Sequence, residues 1–247
     1  MIKYVKRTKA PTKTNIWYKD PAHGGVSNCT TNLPNPRFPG STTNNCIGYD
    51  WGRYFECQAV NGELFGATTK EELQTIFAKR PHGDPDKAWF TLKSSGFFGP
   101  YCKDTPKRGS IAFYERVPAN AKFNGHVSFV EEVKSVTKVD FSNNNLKTKP
   151  LWKYYDDVNP YGNFGKYRLL GYLWPIADFE GETYTTTDPL NCRVKPGGAV
   201  VGTFAKGATV ELAGDHKDYA GRVWKCVKGK DRTGKTISGF VCMDYLK

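Results

Sequence analysis

Long apolar runs are missing from this chain of 247 residues. No stretch approaches the roughly 18–20 apolar residues that a membrane-spanning helix requires, so no membrane insertion is expected. The opening "MIKYVKRTKAPTKTNIWYKD" is positively charged but has no apolar core behind it, which is not the pattern of a secretory signal. The expectation is a protein that is cytosolic when made, or one that leaves by another route. CxxC pairs are absent, and the spacing of the seven cysteines does not resemble a zinc site, so no metal and no other cofactor is expected. An odd number of cysteines leaves at least one thiol outside any intramolecular disulfide, and reduced, buried thiols are the simplest state for the rest. Carboxylates are outnumbered: 24 Asp and Glu face 36 Lys and Arg, a formal charge of +12. That excess suits a polyanionic partner. Nucleic acid is not expected in that role, because the chain has no Arg-rich tract, zinc-finger spacing or aromatic RNA-binding strand.

What the chain does hold is 25 Gly, 15 Pro, 14 Tyr and 15 Phe, a mixture that favours loops and strands over long helices. Residues 1–44 read as mostly loop. Residues 46–59 suit a helix with Ile47, Trp51, Tyr54 and Phe55 on one side, Trp51 and Tyr54 acting as core anchors. A second helix is expected through "KEELQTIFAKR". A third, in "DPDKAWFTLKSSG", has Asp84 as cap, Pro85 at its first position and Gly96 as stop, with Trp89 and Phe90 in the core. "GSIAFYERV" and "GHVSFVEEV" then read as strands, "VTKVDF" as an antiparallel partner after a tight turn at Lys134 and Ser135, and "KYRLLGYLWP" as a last strand. Helices followed by a small antiparallel sheet give an α+β domain over residues 1–175. Residues 176–187 read as a linker. Residues 188–247 are short strands broken by Gly turns, which suggests a small all-β barrel with cysteines among its core fillers.

Cys46 stands at the expected start of the first helix. Unpaired amides and the helix dipole there favour an anion, so its thiol is expected to ionise more easily than usual. Asn44 and Asn45 sit where a cap or an extra hydrogen-bond donor would be, and Tyr49 is close enough to line a cleft. Of four histidines, His126 alone opens an apolar strand, directly after Gly125. Alternation puts His126 and Ser128 on one face and Val127, Phe129 and Glu131 on the other. A histidine beside a cysteine at a helix start is the pattern of a thiol nucleophile with its base.

The segments "NNCIGYDWGRYFE", "RGSIAFY" and "GHVSFVEEV" resemble the CHAP family, the cysteine amidohydrolases and peptidases of bacterial cell-wall metabolism. "PLNCRVKPGGAVVGTFAKGATVEL…GFVCMDYLK" resembles a bacterial SH3 (SH3b) domain, and the order of the two resembles a bacteriophage endolysin. The resemblance implies a papain-like catalytic domain over 1–175, and a wall-binding module over 188–247 with Trp224 and Tyr245 as candidate contacts. It implies Cys46 as nucleophile, His126 as base, and an acidic or amide residue on the next strand to orient the imidazole: Asp140 first, Asn143 in reserve. Some family members bind calcium just before the cysteine, but "PRFPGSTTNN" at 36–45 has no carboxylate, so none is expected here. The implied activity is hydrolysis of an amide in peptidoglycan stem peptides or cross-bridges, as N-acetylmuramoyl-L-alanine amidase or endopeptidase. The implied partners are peptidoglycan and anionic wall polymers, reached by a monomer after release through a holin or from outside. The alternatives are a catalytically silent wall-binding or phage structural protein, and a cysteine protease acting on other proteins.

Overall fold

Alternating apolar and polar residues punctuated by glycine build most of this molecule. The computed structural model describes residues 2–12, 15–18, 46–60, 63–64, 81, 84–118, 125–144, 152–179 and 181–247. The expected helix at 70–80, the loop at 36–45, and Asn44, Asn45, His23, His82 and Cys29 lie outside the described residues. The chain divides into two compact units, residues 5–176 and residues 1–4 with 177–247. Both are mostly antiparallel sheet, and helix α1 gives the larger one its mixed α+β character.

In the larger unit, α1 runs Cys46–Glu56 and α2 runs Pro85–Ser94. The strands are β1 (Ala59–Val60), β2 (Glu63–Leu64), β3 (Cys102–Lys103), β4 (Ile111–Arg116), β5 (His126–Ser135), β6 (Lys138–Asn144), β7 (Trp152–Val158) and β8 (Tyr167–Leu173). The pair β1–β2 stands apart, and the main sheet has the order β3-β8-β4-β5-β6-β7. Strand β7 was not expected: "WKYYDDV" alternates poorly and carries two acids, and it gains its place by pairing with β6. The β5–β6 turn falls at Val136 and Thr137, two residues later than expected, because β5 runs on to Ser135.

Helix α1 is enclosed rather than amphipathic. Trp51, Tyr54, Phe55 and Tyr49 are all 0% exposed, and so is Asp50. Rings of this size each contribute on the order of 1.5–3 kcal/mol when fully buried. Residues 15–18 cover the far side of the helix. A side chain at Gly52 would meet the Tyr18 ring at 2.7 Å and the Trp17 carbonyl at 2.8 Å. Trp89 is buried as expected, but Phe90, on the next position of α2, is 60% exposed. Asp84 precedes α2 in an extended conformation with Pro85 at the first turn, and its side chain makes no capping bond.

In the smaller unit, β9 (Thr183–Thr185), β10 (Leu190–Arg193), β11 (Val200–Phe204), β12 (Thr209–Tyr219), β13 (Arg222–Lys230) and β14 (Thr236–Cys242) form one sheet. Its order is β11-β10-β14-β13-β12-β9, so the ladder has two end strands. Strand β9 lies inside the stretch expected to be a linker, where it pairs with β12. Cys192 and Cys242 are buried among Val210, Val227 and Phe204, as fillers of a thin core.

Candidate active site

The β4–β5 hairpin and the start of α1 bring Cys46 and His126 to one end of the main sheet of the larger unit. Gly125 makes this possible. Its φ is +94°, and a side chain there would lie 2.6 Å from the Tyr114 carbonyl and 2.9 Å from the Asp86 amide. No L-residue with a β-carbon fits that corner, so His126 enters β5 next to the first turn of α2. Its register partner on β4 is Tyr114.

The Cys46 thiol faces backbone amides of Val127, Ile47 and Cys46 itself, each of which favours the thiolate. The helix-start reasoning predicted that such donors would win. They do not: loss of hydration is the largest influence, the Asp50 carboxyl adds to it, and the thiol is pushed up to about 12. Asp50 was missed in the sequence. It sits one turn below Cys46 on the same helix face, fully buried, with no hydrogen-bond partner for either oxygen. Burial, and then Glu131, hold its carboxyl well above the usual range. Its i+4 spacing from the cysteine was the available signal.

His126 is 8% exposed. Burial drives its pKa down to about 4, so the imidazole is neutral at pH 7. Its Nε2 meets the Asn143 amide nitrogen at 3.0 Å, and the same nitrogen lies 3.3 Å from Ser128 Oγ, while Asn143 Oδ1 is buried without a partner. The two ends of an amide are interchangeable by a half-turn of the side chain. In that rotamer Oδ1 accepts from Nε2–H and from the Ser128 hydroxyl, leaving Nδ1 as the acceptor nitrogen. The thiol and the imidazole are not hydrogen-bonded to each other here; they are linked through Val127, whose amide meets the sulfur and whose predecessor is His126.

Asp140, the first choice to orient the imidazole, is at the other end of the strand pair. Its register partner is Glu132, six residues and about 20 Å along β5 from His126. Two register shifts in the β5–β6 ladder and the later turn move it there. Its carboxylate is held by Lys134 at 2.7 Å, Lys6 at 2.9 Å, the Tyr154 hydroxyl at 2.8 Å and the Asp157 amide at 3.1 Å. Asn143 is the β6 residue beside the ring. Tyr49 does not line a cleft either. It is fully buried, stacks on Tyr18, and donates to Ser142 Oγ at 2.9 Å.

Two aromatic residues at the site carry no motif and were missed in the sequence. The Phe164 ring stacks on the imidazole with centroids 5.3 Å apart and planes 19° apart, and the Tyr167 ring lies 5.3 Å away at 31°. In the smaller unit, Trp224 is half-buried on β13 with Nε1 unpartnered, and Tyr245 is 38% exposed in the turn Met243–Tyr245. Among the described residues no helix is long and apolar enough to cross a membrane, and no cluster of His, Cys, Asp and Glu could hold a metal ion.

No protein-family model matches the chain, and no curated protein does. Among solved structures, the chain is similar to one described as the crystal structure of Ly7917 with the hydrolyzing product of MDP, at 24% identity and a TM-score of 0.20. The match takes in 55% of this chain and 57% of that one, so it spans little more than half the length of either. A superposition this poor carries no argument about chemistry, which rests on the residues themselves.

Proposed function

We propose that the larger unit is a cysteine-dependent peptidoglycan hydrolase of the CHAP type, with residues 188–247 as an SH3b-like wall-binding module in the manner of an endolysin. The observation that carries the reading is the meeting of the Cys46 thiol with the Val127 amide, one residue beyond a histidine whose other ring nitrogen is tied to Asn143. The three segments that resemble the family contribute Cys46, His126 and the β4 wall of that site.

Both reacting groups rest neutral, so the proton moves when substrate arrives. His126 Nδ1 takes the thiol proton as sulfur attacks the amide carbonyl. The backbone amide of Cys46 donates to the oxyanion in this scheme, where a fixed donor is worth more than in water. The C–N bond breaks as the imidazolium returns its proton to the leaving amine, and water then cleaves the thioester. Asn143 holds the tautomer that this sequence needs and takes no proton. The enzyme is made in the host cytoplasm and reaches the wall after release. Its substrate is an amide of the stem peptide or cross-bridge, cut as amidase or as endopeptidase.

The test is digestion of purified peptidoglycan by the wild-type protein and by Cys46→Ala, with mass analysis of the fragments. New fragments from the wild type alone support the enzyme, and their new amino termini identify the bond. Fragments from neither protein, with binding to walls retained, support the silent wall-binding reading. Cleavage of casein without release of wall fragments supports a protease of other substrates.

A further inference from the structure

The turn between β7 and β8 is shaped to cover one side chain. Phe164 and Tyr167 exchange backbone hydrogen bonds, 2.8 Å from the Phe164 amide to the Tyr167 carbonyl and 3.2 Å in return, and Gly165 between them has φ +63°. This closes a four-residue corner and puts both rings on His126. Tyr155 buttresses Phe164 edge-on at 5.2 Å, and Tyr114 approaches it from β4 at 6.0 Å. Distances and angles of this kind are ordinary for stabilising ring pairs. Both corner residues are only half-buried, so they stand between the imidazole and solvent rather than in the core.

We propose that Phe164 and Tyr167 are positioning residues for His126: the corner they form fixes the plane of the imidazole and keeps water off it. The idea deepens the functional reading above and rests on His126 being the base. Groups facing the ring from each packed element are few. Ser128 comes from β5 itself, Asn143 from β6, Tyr114 from β4, and Tyr167 from the corner. Helix α1 brings Cys46 and the Asp50 carboxyl to the same end of the sheet, and α2 brings its first turn, with Asp86, beside Gly125. The shift of His126 comes from burial and from none of these groups. Arg168, next to Tyr167, is committed to Glu115 at 2.7 Å. With no carboxylate paired to the ring among the described residues, shielding from water decides its protonation. The same rings would attract an imidazolium through their faces. That effect has the opposite sign, so removing a ring tells the two apart.

The experiment follows the imidazole C–H resonances of the full-length protein by NMR from pH 3 to 8, with His126→Gln to assign the signal. Phe164→Ala and Tyr167→Ala are each expected to raise the His126 midpoint by about one unit or more, toward the ordinary value near 6.5. Phe164→Gln keeps the bulk, brings in a polar end, and should raise it as well; it serves if the alanine variant fails to fold. Tyr167→Phe should leave it unchanged. A midpoint that stays within a few tenths of a unit in the ring-deleted variants, or that falls, overturns the proposal, provided their melting temperatures match the wild type. On peptidoglycan, the acid limb of the rate profile should move up with the NMR midpoint. If no variant and no wild type digests peptidoglycan, the functional reading falls, while the titration still decides the shielding.

Discussion

Strands β5 and β6 support opposite chemistry at their two ends. At the far end every charge has an answer. Glu131, fully buried, accepts two bonds from Arg53 at 2.9 Å each, one from the Arg7 amide at 2.9 Å and one from Ser142 at 2.7 Å. Asp140 is equally buried and takes four donors. At the near end Asp50 and His126 are buried and Cys46 is half-buried, and none of the three has a counter-ion among the described residues. Burial pushes the Cys46 thiol up and the His126 imidazole down, so both are neutral at pH 7, and it raises the Asp50 carboxyl well above its usual range. Paired ions build a scaffold, whereas unpaired groups held neutral remain available to exchange protons. The difference between the ends is what marks one as a site.

The sharpest way to break this comparison is to remove one group from each end. Cys46→Ala should abolish peptidoglycan hydrolysis, by about a thousandfold or more, and leave the melting temperature almost unchanged. Arg53→Met should do the reverse. It leaves the Glu131 carboxylate buried without its main partner, a loss of about 3–5 kcal/mol. Thermal unfolding of the two variants side by side checks both, and a strongly destabilised Cys46→Ala would show that the near end is scaffold too.

A milder probe asks whether the near end is truly neutral at rest. With the thiol pushed up to about 12, alkylation of Cys46 by iodoacetamide should climb about tenfold per pH unit from 7 to 10, since only the thiolate reacts. Peptide mass mapping separates Cys46 from the other cysteines. A plateau below pH 8 would mean that a thiolate–imidazolium pair already exists in the free protein.

The contrast also explains what could be read in the sequence. Cys46, Gly125 and His126 were legible because local rules place them: a helix start, a corner that only glycine fits, and a strand that alternates from its first residue. The third member was not. Choosing Asp140 over Asn143 required the strand register, and two bulges plus a turn at Val136 and Thr137 shifted it. Residue type misled as well, since a carboxylate looks more suited to histidine than an amide does. Phe164 and Tyr167 were invisible for a different reason. They reach His126 from a turn some 40 residues later in the chain, and aromatic residues are too common here to signal anything by themselves. Asp50 was hidden by the expectation of an amphipathic α1, whereas the helix is enclosed on all sides.

The final comparison sets Asn143 against Asp140, three residues apart on one strand. Asn143→Ala should lower the hydrolysis rate by about 10- to 100-fold, mostly in kcat, because the imidazole loses its tautomer and its orientation. Asp140→Asn should leave kcat within about twofold and cost stability instead, on the order of 1–3 kcal/mol at pH 7 for the lost charge-assisted bonds. The pH dependence separates this from a packing defect. The Lys134 and Lys6 ammonium groups and the hydrogen bonds around it hold the folded Asp140 carboxyl well below its usual range. Its contribution is therefore complete above the unfolded value near 3.9 and declines as pH falls below that. Denaturant melts of Asp140→Asn and wild type should differ fully at pH 6–7 and converge toward pH 2. A gap that stays constant down to pH 2 would mean that Asp140 contributes by shape and not by charge.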